Sequence, residues 1–164
     1  MIRTATEKDL PEIQIIYNQG IKERIATLEE DPKTINEMHQ WFCSRSPLYP
    51  VIVAAEDKVQ GWASLNPYSH RSAHAGIADL SIYIHRDSRG RGLGFSLMEE
   101  LESRAKAQGF HKLVLNTLAF NYPAQHLYWK FGFQTVGLLQ SHGLLDGQYV
   151  DVLMMEKVIL TDCC

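Results

Sequence analysis

The sequence predicts a mixed α/β domain: a mostly antiparallel central sheet covered by helices on both faces. Three observations predict it. The candidate elements run strand, helix, helix, three strands, helix, strand, helix, two strands, an order that places helices against a sheet rather than in a separate bundle. The 164 residues are 45% apolar and 21% charged, enough for one buried core and ordinary for a globular chain. A strand near the middle runs into a glycine-rich turn and then an amphipathic helix, with no linker or repeat to split the chain. Residues 1–160 therefore read as one domain and 161–164 as a short tail.

The elements follow in order. Ile2 to Ala5 is a short strand, and Thr6 with Asp9 three residues on marks a helix start. Leu10, Ile13, Ile16, Tyr17 and Ile21 then recur at helical spacing. A second helix spans about Thr34 to Cys43. Val51–Ala55 and Val59–Leu65 flank the polar turn Glu56-Asp57-Lys58 as two strands. Asn66 to Gly76 is irregular, and Ile77–His85 is a long strand. A helix ending near Gln108 places Leu93, Leu97, Met98, Leu101 and Ala105 on one face, and Gly109 closes it. Lys112–Thr117 is a buried strand and Tyr122–Lys130 a short helix closed by Gly132. Gln134–Leu139 and Tyr149–Glu156 are the last strands, joined by a loop containing Asp146-Gly147.

Composition excludes several classes. A net charge of −3 offers no general affinity for nucleic acid or acidic membranes. No apolar run reaches membrane-spanning length, and the first residues lack a signal-peptide core, so the expected location is the cytoplasm. Cys43 reads as buried packing, while Cys163 and Cys164 sit in the tail; three cysteines form no disulfide framework. His70 and His74 are four apart, but on no clear helix, and no metal-ligand spacing occurs, so no metal is expected. A serine-hydrolase elbow is missing.

The informative segment is Ile82-Tyr83-Ile84-His85-Arg86-Asp87-Ser88-Arg89-Gly90-Arg91-Gly92-Leu93-Gly94. Glycines at 90, 92 and 94 let backbone N–H groups turn toward one point, and the helix that follows adds its positive end. Such a loop suits a pyrophosphate, and Arg89 and Arg91 would add charge. It lacks the Gly-Lys-Ser/Thr ending of a P-loop and the glycine spacing of a dinucleotide fold. A plain strand-to-helix turn stays open as the alternative on the loop alone.

The pattern Arg89-x-x-Gly92-x-Gly94 after a strand resembles the coenzyme A signature of the GNAT superfamily of N-acetyltransferases. The run Asn121-x-x-Ala124-x-x-Leu127-Tyr128-x-Lys130-x-Gly132-Phe133 resembles its second signature. Ile16-Tyr17-Asn18, Trp41-Phe42, Gly61-Trp62-Ala63-Ser64 and Asp146-Gly147-Gln148-Tyr149-Val150-Asp151-Val152 extend the likeness to one subgroup, which includes phosphinothricin and methionine sulfoximine acetyltransferases. The resemblance covers nearly the whole chain.

It implies direct acetyl transfer from acetyl-CoA to the primary amine of a small molecule, an amino acid or an analogue. Cofactor contacts are then expected from Ile82, Tyr83 and Ile84 along the strand, from Arg89, Gly90, Arg91, Gly92, Leu93, Gly94 and Phe95 in the loop, and from Asn121. Tyr128 falls where the family places a general acid, and Asp79 where the subgroup has a glutamate base. Aspartate is one C–C step shorter, a reach of roughly 1.5 Å, which a water would bridge. Arg71, Ser72, Ala73 and His74 are implied to face the acceptor, with Arg71 or Arg24 holding its carboxylate and the loop at His142 nearby. His74 and Leu28 stand where relatives carry aromatics. The resemblance also implies a homodimer. A peptide or protein N-terminal acetyltransferase and a non-catalytic acyl-CoA-binding module are the alternatives.

Overall fold

The computed structural model describes residues 1–160; Cys163 and Cys164 lie outside the described residues. The elements are β1 (Ile2–Thr4), α1 (Leu10–Glu23), α2 (Ile35–Cys43), β2 (Val51–Ala55), β3 (Val59–Pro67), β4 (Ile77–Ile84), α3 (Leu93–Ala107), β5 (Lys112–Leu118), α4 (Tyr122–Phe131), β6 (Gln134–Leu145) and β7 (Gln148–Val158), with single 3-10 turns at Glu7–Asp9, Ser72–His74 and Arg86–Ser88. The seven strands form one sheet in the order β1-β2-β3-β4-β5-β7-β6. Every neighbouring pair is antiparallel except β4 and β5.

The two faces follow from strand alternation. Ile52, Leu65, Leu80, Leu115 and Met155 turn to one side and pack on Leu97, Met98 and Leu101 of α3. Val51, Val53 and Trp62 turn to the other and meet Leu10, Ile13 and Ile16 of α1 and Met38 of α2. Capping boxes fix the 3-10 turn that leads into α1 and the start of α2. Thr6 pairs with Asp9 and Thr34 with Glu37. Arg3 grips Asp9 through two contacts of 2.8 Å, which holds that carboxyl down at about 2.

Three sequence expectations change. Cys43 is exposed, not buried. It ends a nine-residue helix that buries only Met38, so the apolar stripe is narrower than its spelling suggests. The β3 strand runs on to Pro67, two residues into the stretch expected to be irregular. The expected loop between the last strands is mostly strand. β6 and β7 close into a hairpin at Asp146 (φ 49°) and Gly147 (φ 79°), a pair of left-handed residues whose twist matches that of the strands. A bulge with Ser141 at φ 49° interrupts β6, which disguised the strand by breaking its alternation. His142 therefore lies on a bulged strand.

Candidate active site

The sheet opens where β4 and β5 part. Their parallel pairing covers only Ile77–Asp79 against Lys112–Val114, yet β4 continues to Ile84 and β5 to Leu118. Beyond Asp79 the β5-facing edge of β4 has no strand partner among the described residues and leaves its peptide groups free to meet a ligand. The gap is a cleft of about 460 Å³. It is bordered by Leu80–Ile84 of β4, by Asn116 and Thr117 of β5, by the loop into α3 and by α4.

Most of the sequence-expected residues gather there. Ile82, Tyr83, Ile84, Arg89, Gly90, Gly92, Leu93, Gly94, Phe95, Asn121 and Tyr128 all line the cleft. The glycines divide their work. Gly90 and Gly92 hold φ of 77° and 78° and turn the chain, with open space where a side chain would stand. Gly94 instead permits helix packing, since a Cβ there would lie 2.9 Å from Leu127. Arg89 is not a free charge: Glu23 holds it at 2.9 and 3.2 Å, and its Nε donates to the Ile84 carbonyl. Arg91 is exposed and makes no ion pair among the described residues. Asn121 caps α4 by accepting from the Ala124 N–H at 3.4 Å.

Asp79 is the last β4 residue paired with β5 before the strands part, on the same face of β4 as Ser81 and Tyr83. Its burial pushes the carboxyl up to about 6, against a hydrogen bond from Asn66 that pulls the other way. Across the cleft Tyr128 is 7% exposed on α4. Burial raises its hydroxyl pKa, and the Asp79 charge raises it further. Tyr128 thus holds a proton that only a strong base can remove, while Asp79 titrates close to neutrality.

Sequence reasoning missed the support behind Asp79. Asn66 donates through Nδ2 to Asp79 at 3.3 Å and to Ser81 at 3.0 Å. Its Oδ1 accepts from Arg45 at 3.2 Å and from Ser64 at 3.1 Å. Arg45 has donors only, so the amide has one orientation, NH₂ toward the carboxylate. Arg45 itself is half-buried, contacts the Tyr49 and Leu65 carbonyls and lies 4.8 Å above the Trp41 ring. It pairs with no carboxylate among the described residues. The one available sign was a polar row, Ser64 and Asn66, at strand spacing beside Trp62.

The residues expected to face the acceptor lie on other elements. Arg71, Ser72, Ala73 and His74 occupy the turn after β3 and none lines the cleft. Arg24 is already used: it ends α1 in a left-handed conformation, contacts Asp146 at 3.0 Å and donates to the Ile21 and Glu30 carbonyls. With Glu30 bonding the Asp146 N–H at 2.5 Å, it straps the α1–α2 connection to the β6–β7 hairpin. Leu28 is held beneath that strap against Gly143 and packs with Leu118, Leu145 and Val152. Among the described residues no group of His, Cys, Asp and Glu is placed to hold a metal, and no helix is long and apolar enough to cross a membrane.

Comparison with known proteins gives consistent matches. Residues 14–133 match the model of the acetyltransferase (GNAT) family. The L-methionine sulfoximine/L-methionine sulfone acetyltransferase of Pseudomonas aeruginosa is 32% identical over 158 residues, 94% of this chain and 92% of that protein. The crystal structure of a ribosomal-protein-alanine N-acetyltransferase from Brucella melitensis superposes with a TM-score of 0.93 at 32% identity, over 96% of this chain and 99% of that one. A GNAT-superfamily phosphinothricin acetyltransferase from Sinorhizobium meliloti, solved in complex with acetyl-CoA, gives 0.90 at 29%, over 96% and 87%.

Proposed function

The chain belongs to the GNAT acetyltransferase family and is an N-acetyltransferase, and from that premise we propose that it moves the acetyl group of acetyl-CoA directly to the primary amine of a small amino acid or analogue. One observation carries the reading. Where β4 and β5 part, Asp79, a carboxyl near neutrality, is close enough for its charge to raise the hydroxyl pKa of Tyr128, a firmly protonated phenol that lines the cleft beside the glycine loop.

The parts divide as follows. The amides of the loop from Arg89 to Phe95 and the N-terminal end of α3 hold the pyrophosphate, and the free edge of β4 at Ile82–Ile84 takes the pantetheine as an added strand. An Ile84 or neighbouring N–H polarises the thioester carbonyl. Asp79, directly or through a water, takes the proton from the acceptor ammonium. The amine nitrogen then bonds the acetyl carbon, the C–S bond breaks, and Tyr128 gives its proton to the leaving thiolate. Replacing Tyr128 by Phe keeps the ring packing against Phe133 (centroids 6.0 Å apart) and removes only the acid. We expect kcat to fall about 10²-fold or more with acetyl-CoA binding unchanged. Thiol release and calorimetry on the same sample check this, and an unaltered kcat removes Tyr128 from the mechanism.

A protein N-terminus is the second acceptor to consider, since the Brucella melitensis neighbour bears that name. The methionine sulfoximine/methionine sulfone acetyltransferase of Pseudomonas aeruginosa, 32% identical over 94% of this chain, favours the small acceptor.

The assembly we propose is a homodimer through the β6 edge. Among the described residues that strand has no neighbour on its outer side, and Val136, Leu138 and Leu144 on it and Tyr149 on β7 are all about half exposed or more. An unpaired apolar edge of this length calls for a cover. Sedimentation is expected to give twice the 18.7 kDa chain mass and Leu138→Lys to shift it toward the monomer; a wild-type monomer at assay concentration contradicts the reading.

A further inference from the structure

We propose that Ser81 is a positioning residue: its hydroxyl seats the water through which Asp79 takes the proton from the acceptor amine. The inference rests on the reading of Asp79 as the base and adds to it the group that holds the water.

The hydrogen bonds around Asn66 fix the directions. Its amide has both acceptor and both donor positions filled. Oδ1 accepts from Arg45 at 3.2 Å and from Ser64 at 3.1 Å. Nδ2 donates to Oδ2 of Asp79 at 3.3 Å and to Oγ of Ser81 at 3.0 Å. Arg45 only donates, so turning the amide over would set donor against donor. Ser81 therefore accepts at Asn66, and its own proton points elsewhere. Among the described residues no group receives that proton. The same reasoning names the basic atom. Oδ2 of Asp79 is engaged by Asn66, which leaves Oδ1 to take a proton.

Space and reach agree. Ser81 lines the transfer cleft and also a chamber of about 360 Å³ between α1, α2 and the sheet, whose wall carries Asn66 and Ser64. A water takes roughly 30 Å³ and needs two to four polar partners. Asp79 and Ser81 are two residues apart on one face of β4, and both are bound to one nitrogen. A water with two hydrogen bonds of about 2.8 Å spans them. It accepts from Ser81, donates to Oδ1 of Asp79 and keeps one lone pair for an ammonium N–H. On transfer that N–H bond breaks and its proton joins the water, while a water proton passes to Oδ1. The nitrogen keeps the electron pair that attacks the acetyl carbon. The water also supplies reach, since aspartate is one C–C step, roughly 1.5 Å, shorter than glutamate.

Two experiments test this. A high-resolution crystal structure with coenzyme A is expected to show a water within about 3.2 Å of both Ser81 Oγ and Asp79 Oδ1, and to lose it in Ser81→Ala. Thiol release with L-methionine sulfone as acceptor measures the consequence. Ser81→Ala is expected to lower kcat about ten-fold, and Ser81→Thr, which keeps the hydroxyl, by less than about three-fold. The KM for acetyl-CoA stays where it was in both. In Asp79→Glu the longer arm reaches the amine without the water, so adding Ser81→Ala there costs less than about two-fold. A purely structural serine would cost the same in either background. Equal costs in the two backgrounds, or a wild-type site without the water, overturn the proposal. A water that depends on Ser81, in an enzyme whose rate is indifferent to Asp79→Asn, overturns the base reading and the water's role in transfer, while the water site itself stands.

Discussion

Asp79→Asn is expected to lower kcat/KM by about 10²- to 10⁴-fold, the usual contribution of a positioned general base, and to abolish the acid limb of the pH profile. In wild type the limb lies near pH 6, where the buried carboxyl titrates. Activity is lost below that value because a protonated Asp79 accepts nothing, and it is flat above. Asn66→Ala tests the same limb from behind. Without its hydrogen bond the ionised form loses roughly 1.5 kcal/mol, which moves the limb to about pH 7. A limb that persists in Asp79→Asn belongs to another group and removes the assignment. One that vanishes there but stands still in Asn66→Ala denies Asn66 its electrostatic part.

The same substitution has an opposite effect on stability. Native Asp79 holds its proton up to about pH 6, whereas the unfolded residue releases it near 3.8. The folded state thus binds the extra proton between those values. That benefit is complete below the lower value and is lost as pH rises through the upper one. At pH 7 the wild type carries a buried carboxylate that folding disfavours, and the neutral amide does not, so Asp79→Asn melts higher by on the order of 1–3 kcal/mol. The gap narrows by pH 4. A variant at once inactive and more stable identifies a site where function opposes folding.

What the sequence made legible was periodic or local. Alternation along β4 and the helical stripe of α3 fixed the element order, and the run from Arg89 to Gly94 placed the glycine turn at the mouth of α3 because turn and helix start are neighbours in the chain. What it concealed depends on distant partners. Arg89 reads as a free cation until α1 brings Glu23 to it, 66 positions away. Arg24 reads as a substrate ligand until the hairpin turn supplies Asp146. Asn66 seemed part of an irregular stretch, and only pairing with β4 sets it opposite Asp79. Arg71 to His74 were carried over from a resemblance; they occupy the turn after β3 and are not among the residues lining the cleft.

Gly92→Val is expected to weaken acetyl-CoA binding about 50-fold or more while the protein still folds. A β-branched residue at φ 78° is strained by about 1–2 kcal/mol, and strain alone would lower stability without touching a ligand. Gly109 separates the two effects. It also sits at positive φ, 89°, with open space around its missing side chain, but it follows α3 at the end remote from the loop. Gly109→Val therefore carries a similar backbone penalty and leaves cofactor affinity where it was. At Gly92 the added methyls stand in the cleft, where phosphate oxygens would meet the loop amides, and each charge-assisted bond lost there costs about 1.5–3 kcal/mol. Calorimetry with acetyl-CoA on both variants measures the difference. Equal affinity in the two would mean that these glycines only turn the chain, and that the pyrophosphate is held elsewhere.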